Sequence, residues 1–171
     1  MMRIVYWLNA FLLVCSFSAC KYSNDYHAVN AGNKFSLAIP EWLKEDKNLK
    51  PGADFQYANR FRNFYAIGET LGKTQLSDNL QPVMHANLDI LRKAMKNPVV
   101  TDSFQVSTNG LQGVHAEIYG KMNDENIYFS EVLLRGKNGV YHLSIWTRGE
   151  ERKLKFNKEI EKILNSFQEK N

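Results

Sequence analysis

Cysteine is nearly absent from this 171-residue chain, which has only Cys15 and Cys20. Cys15 lies inside an apolar leader. A processed chain therefore keeps one thiol, with no partner for a disulfide and no second thiol for a metal or a catalytic pair. A membrane-length apolar run is missing too: Ile4–Val14 is interrupted by Asn9 and falls short of the roughly 20 residues a spanning helix needs. The charge excess is only +4, and no basic tract is interleaved with stacking aromatics, so nucleic acid is not indicated as a partner. No G-x-S-x-G occurs, and Ser144 falls within a strand pattern instead of at a strand-to-helix elbow. The histidines, at 27, 85, 115 and 142, lack H-x-H or H-E-x-x-H spacing. His115 and His142 could meet across strands, but a metal site takes three or four ligands, so no metal is expected. The glycines at 110, 113, 136 and 139 suit turns and form no phosphate-binding fingerprint. Glu150-Glu151 falls at a helix start, where the dipole favours carboxylates. These absences point away from an enzyme and from any cofactor.

What is present begins at the N-terminus. Arg3, the short apolar run and the small residues before Cys20 form a signal peptide over residues 1–19. Phe17-Ser18-Ala19-Cys20 resembles the bacterial lipobox, with Phe17 in place of the usual Leu at its first position. The resemblance implies lipidation at Cys20, which would become the mature N-terminus. Lys21 behind it favours the outer membrane, by the sorting rule known for enteric bacteria. Losing the leader removes Arg3 and leaves 21 basic against 18 acidic side chains, a net of +3. Buried acyl chains, at about 0.8 kcal/mol per methylene, outweigh that charge in holding the protein to a bilayer. Residues 20–33 read as the lipidated cysteine and a polar tether, with His27 solvated in it. Residues 34–171 read as one domain, long enough to bury a core without disulfides.

Within the domain, Phe35, Leu37 and Ile39 alternate with small residues and predict a first strand, ended by Pro40. Trp42 is expected to fold back onto the core, and a polar loop follows over Lys44–Ala53. A hairpin is predicted from Asp54–Phe61 and Phe64–Thr70, with Phe55, Tyr57 and Phe61 on one face. Asp78 and Gln81 fit a capping box, with Pro82 in the first turn of a helix over 78–97. Leu80, Met84, Leu88, Leu91 and Met95 form its buried stripe. One strand is predicted over Val99–Thr108, then a turn at Asn109-Gly110 and a half-buried strand through Val114, Ala116, Ile118 and Met122. Ile127–Arg135 is apolar on both faces, which calls for cover on both sides of the sheet. Gly136–Gly139 turns the chain into Val140–Thr147. In the final helix, Phe156, Ile160, Ile163, Leu164 and Phe167 fall on one stripe. Three strands, a helix, four strands and a helix, mostly joined by hairpins, predict an α+β layered domain with a largely antiparallel sheet.

Several of these stretches together resemble one family. Phe35-Ser36-Leu37-Ala38-Ile39-Pro40-Glu41-Trp42 is similar to the opening strand-Pro-x-Trp of the PsbP-like family. Gln56-Tyr57-Ala58-Asn59, Tyr65-Ala66-Ile67-Gly68-Glu69 and the ending Tyr141–Thr147 with Ile163–Phe167 resemble its small lipoprotein members from Bacteroidota. The resemblance implies an α/β/α sandwich, with about six or seven strands flanked by helices. It implies a protein-contacting module without catalysis and offers no shared active site to carry over.

The resulting expectation is a lipid-anchored, non-enzymatic interaction module of the bacterial cell envelope, touching the membrane through its lipid and a second envelope protein. The alternative is a carrier or sensor of a small apolar ligand held between the sheet and helix 78–97. The candidate contact surface is the hairpin stretch Arg60, Phe61, Arg62, Phe64 and Tyr65, since arginine beside aromatics is what interfaces favour. Tyr119, Tyr128 and Trp146 are candidates for a second aromatic face.

Overall fold

The computed structural model describes residues 25–72, 79–101 and 103–170, with the side chains of Glu150 and Glu151 left aside. The signal peptide, Cys20 and Asp78 lie outside the described residues. The elements, in chain order, are β1 (Tyr26–Ala31), β2 (Phe35–Pro40), β3 (Lys44–Glu45), β4 (Phe55–Asn59), β5 (Phe64–Leu71), α1 (Gln81–Ala94), β6 (Lys96–Val100), β7 (Phe104–Thr108), β8 (Leu111–Met122), β9 (Glu125–Arg135), β10 (Val140–Arg148), α2 (Glu150–Asn165) and β11 (Gln168–Glu169).

The main sheet has eight strands in the order β3-β4-β5-β10-β9-β8-β6, with β7 also pairing to β8. Its strand pairs are antiparallel. A second sheet, β1-β2-β11, packs beside α2 on one face of the main sheet, and α1 covers the other. This is the expected helix–sheet–helix arrangement, with more strands than the sequence predicted.

Two cores follow from this layering. On the α2 side, Phe156, Ile160, Ile163, Leu164 and Phe167 bury themselves against Phe35, Leu37, Ile39, Phe64, Tyr141 and Leu143. The predicted stripe of α2 is thus the buried one. On the α1 side, Leu80, Met84, Leu88 and Met95 pack on Val114, Ala116, Ile118, Leu133 and Val140. β9 serves both cores: Tyr128, Val132 and Leu134 face α2, while Leu133 faces α1.

Four local expectations are corrected. The stretch 20–33, read as a tether, contains a strand: Tyr26–Ala31 pairs along β2 from Tyr26↔Pro40 to Ala31↔Phe35. The domain therefore starts ahead of residue 34. Within the polar loop, Lys44 and Glu45 pair with Ala58 and Tyr57. The helix ends at Ala94 instead of Asn97, because Met95 is extended and Asn97 takes a positive φ of 51°. The capping box expected from Asp78 falls outside the described residues; at the helix start Leu80 is the N-cap, with no side-chain cap hydrogen bond, and the Gln81 side chain accepts from Ser103 Oγ at 2.5 Å. Finally, the strand read over Val99–Thr108 is two strands, both paired to β8, with a register shift at Lys96/Val99 around Pro98. Proline fits there because an irregular edge strand does not need its N–H.

Candidate functional site

Strand parity brings a set of polar residues to the face shared with α1. Glu131 of β9 lies opposite Ser144 of β10, and His142 lies opposite Glu69 of β5. α1 covers the β8–β9 part of that face through Met84 and Leu88, and its cluster reaches β10 at Val140 and β5 at Leu71, at the far end of those strands from Trp146 and Tyr65. Beside it runs a groove of about 240 Å³. Its floor is Ile67, Phe129, Glu131, His142, Ser144 and Trp146, and its walls are Asn87, Ile90 and Leu91 of α1 and Leu49-Lys50 of the preceding loop. Trp146 lies between Tyr65 and Phe129, stacked at 5.2 Å and 5.5 Å in a row across three strands.

The polar cluster is wired through carboxylates. Ser144 Oγ donates to Glu131 Oε1 at 2.5 Å, and His142 Nε2 donates to Glu131 Oε2 at 2.6 Å. His142 Nδ1 lies 3.7 Å from Glu69 Oε2, which also accepts the Lys50 ammonium. Burial pushes His142 down, but its hydrogen bonds to Glu131 and Glu69, with their charges, outweigh burial and raise it to about 9. The hydrogen bond from His142 holds Glu69 down at about 2 against burial, with Lys50 adding to the effect.

A protonated His142 between two carboxylates has no lone pair with which to act as a base. Ser144 gives its proton to Glu131, not to the histidine. The wiring therefore differs from a nucleophile–base–orienter chain, in which the base bonds the nucleophile. What it provides is a fixed, charge-balanced floor under an apolar groove. Sequence reasoning missed this cluster. The polar residues at 131, 142 and 144 were visible, but only the strand register shows that they converge.

His115 is elsewhere. It pairs with Val132 on the α2 face, its Nε2 is 2.8 Å from Ser130 Oγ, and Phe104 packs edge-on against the ring. Burial lowers its pKa. His115 and His142 thus lie on opposite faces with β9 between them, and the two-histidine arrangement does not form. Among the described residues no group of three or more His, Cys, Asp or Glu is placed to hold a metal ion.

The predicted contact stretch is divided by the fold. Phe61 is 94% exposed at the β4–β5 turn, beyond the strand face on which it was expected. Arg60 is exposed and donates to Asp46 Oδ2 at 2.8 Å and 3.0 Å. The Arg62 guanidinium lies 4.5 Å over the Trp42 ring, which packs on Phe64 and Phe156 as expected of a residue folded onto the core. Phe64 is fully buried, and Tyr65, also buried, faces the opposite side beneath Trp146. These last two are not surface residues, because strand alternation turns both inward against a covered sheet. The second aromatic face is also divided: Tyr128 faces α2 under Lys153, whereas Trp146 faces α1.

A larger depression of about 470 Å³ lies by the start of α2, against Tyr119, Ile127, Tyr128 and Leu154. Two of its three lysines are ion-paired, Lys153 with Glu117 and Lys96 with Asp124. Its polar lining is lysine and asparagine, without the carboxylate–histidine network that floors the smaller groove, which is the better-built site.

No protein-family model matches the chain, and no curated protein matches it at a significant level. Solved structures do. Cyanobacterial PsbP (CyanoP) from Synechocystis sp. PCC 6803 aligns over 85% of this chain and 93% of its own, at 9% identity and a TM-score of 0.64. The Ran-binding protein Mog1p of Saccharomyces cerevisiae aligns over 85% and 96%, at 12% identity and a TM-score of 0.59. LpqN, involved in cell envelope biogenesis of Mycobacterium tuberculosis, aligns over 86% and 91%, at 11% identity and a TM-score of 0.57. The chain has the PsbP/Mog1-like fold, in agreement with the resemblance read from its strand-Pro-x-Trp opening and its closing strand and helix.

Proposed function

We propose that this protein is a lipid-anchored, non-enzymatic binding module of the bacterial cell envelope, held at the outer membrane through Cys20. The observation that carries the reading is the placement of that cysteine. It is the only one left after a short apolar leader, and it stands five residues ahead of Asp25, where the folded domain has already begun. The fold is shared with LpqN, an envelope-biogenesis protein, and with Mog1p, a Ran-binding protein, which supports a contact role. The wiring of Ser144, Glu131 and His142 supports binding over catalysis. The partner is a second envelope protein. In-cell crosslinking of the full chain tests this; recovery of lipid adducts alone, with no protein adduct, would count against it.

The groove beside α1 favours a second reading, a small apolar ligand bound over Ile67, Phe129 and Trp146. The expected position between helix and sheet is filled by Met84 and Leu88, so the ligand would lie beside the helix. Native mass spectrometry of the purified protein would show a bound mass released by denaturation. A chain of bare mass would remove this reading.

A further inference from the structure

The chain enters its domain beside the most exposed aromatic side chain the structure describes. The Asp25 carbonyl accepts the Glu41 N–H at 3.0 Å, and Tyr26 opens β1 opposite Pro40. Trp42, one residue further, ties this entry point to the β4–β5 turn. Its carbonyl accepts from Asn59 Nδ2 at 2.8 Å, and its ring lies under Arg62. Phe61 stands at the apex, 94% exposed, between Arg60 and Arg62.

The turn that carries Phe61 is braced. The Arg62 N–H donates to the Asn59 carbonyl at 3.1 Å and to its Oδ1 at 2.9 Å. The Asn63 carbonyl accepts the Arg148 N–H at 3.1 Å, and Arg152 of α2 donates to the Arg62 carbonyl. A phenyl ring held out into solvent on a fixed support, beside the exposed Arg60, is what a membrane surface accepts: apolar rings bury at the headgroup–acyl boundary, and basic side chains are drawn to anionic lipid.

The length of chain ahead of the domain narrows the choice of occupant. Five residues from Cys20 to Asp25 reach at most about 18 Å when fully extended. A small folded domain is about 30 Å across. With acyl chains on Cys20, this end is held too near the bilayer for a folded partner to sit between them.

We propose that the β4–β5 turn is the membrane-contacting face of the domain, with Phe61 at the headgroup–acyl boundary and the exposed Arg60, bonded to Asp46, at headgroup level. The proposal rests on the lipid-anchor reading above. It assigns the exposed part of the hairpin to lipid and fixes the domain's orientation, so that Asn138, at the opposite end of β10, points away from the membrane.

The test uses the mature lipidated chain in vesicles of phosphatidylethanolamine and phosphatidylglycerol. Cys20 is blocked by its lipid and Cys15 is removed with the leader, so Phe61→Cys and Asn138→Cys each supply a single thiol for a nitroxide label. Power-saturation spectroscopy should give position 61 several-fold lower exposure to a water-soluble nickel chelate, and higher exposure to oxygen, than position 138. Equal chelate exposure at the two positions, on protein whose N-terminal peptide carries the acyl mass, would overturn the docking alone. An N-terminal peptide without acyl mass would overturn the anchor and the docking together. A photo-crosslinker at 61 that captures an envelope protein in cells, with no lipid adduct, would overturn the lipid assignment in favour of that protein.

Discussion

Glu131 and His142 share a 2.6 Å hydrogen bond between neighbouring strands, with 2% and 11% of their side chains exposed. Ions so far from water are costly unless each is paired and bonded. Here Ser144 takes the second oxygen of Glu131, and Glu69 lies 3.7 Å from the other nitrogen of His142.

This pairing makes stability depend on pH in two windows. His142 titrates near 6.5 when unfolded and at about 9 when folded, so its contribution is complete below 6.5 and is lost as pH rises through 9. Glu69 moves the other way, from 4.5 to about 2, so its contribution holds above 4.5 and is lost as pH falls toward 2. Urea unfolding across pH should give a plateau between roughly 4.5 and 6.5, with a decline on each side. A His142 ring titrating near 6.5 by NMR would contradict the wiring.

Removing one partner should cost more than removing the set. Glu131→Ala leaves a buried cation and a buried hydroxyl without their acceptor, and should destabilise by about 3–5 kcal/mol. Replacing all three groups, with Glu131→Leu, His142→Leu and Ser144→Ala together, should recover much of that loss, since a packed apolar substitute is often neutral. Equilibrium unfolding of both variants decides it. A triple variant less stable than Glu131→Ala would mean the cluster is a net source of stability.

Gly113 tests the packing of the sheet itself. A Cβ at this position in β8 would run into the carbonyl oxygen of Leu133 on β9 and the side chain of Leu134. The β8–β9 pair would have to part, so Gly113→Ala should cost about 3 kcal/mol or more, a size reserved for a few mechanisms such as overpacking. The midpoint of thermal unfolding reports it, and a shift within error would show that the strands can separate cheaply.

How much of this was legible depended on whether a residue's neighbours lie along the chain or across it. The α2 stripe repeats every three or four residues and marked its own buried face. β9 announced two covers because apolar residues occupy both parities. β1 was invisible: as an edge strand of a small sheet it exposes His27, Ala28 and Asn30, so no alternation survives in its sequence. Glu131, His142 and Ser144 each looked like a polar interruption of a strand. Their convergence is a product of register, which no local pattern encodes.

Phe61 and Phe64 make the sharpest contrast of this kind. Three residues apart in one hairpin and both expected at a contact surface, they have opposite environments, one 94% and the other 0% exposed. Phe64 packs edge-on against Trp42 and Phe156, at 5.2 Å from each, within the core under α2. Truncating it leaves a cavity among rigid rings, so Phe64→Ala should lose about 3–5 kcal/mol. Phe61 makes no comparable packing contact, and Phe61→Ala should change stability by less than about 0.5 kcal/mol. Urea unfolding of the two variants tests the pair in one experiment. If Phe61→Ala proved as damaging as Phe64→Ala, the turn would be packed in solution, and Phe61 would no longer be available to a bilayer or to any other partner.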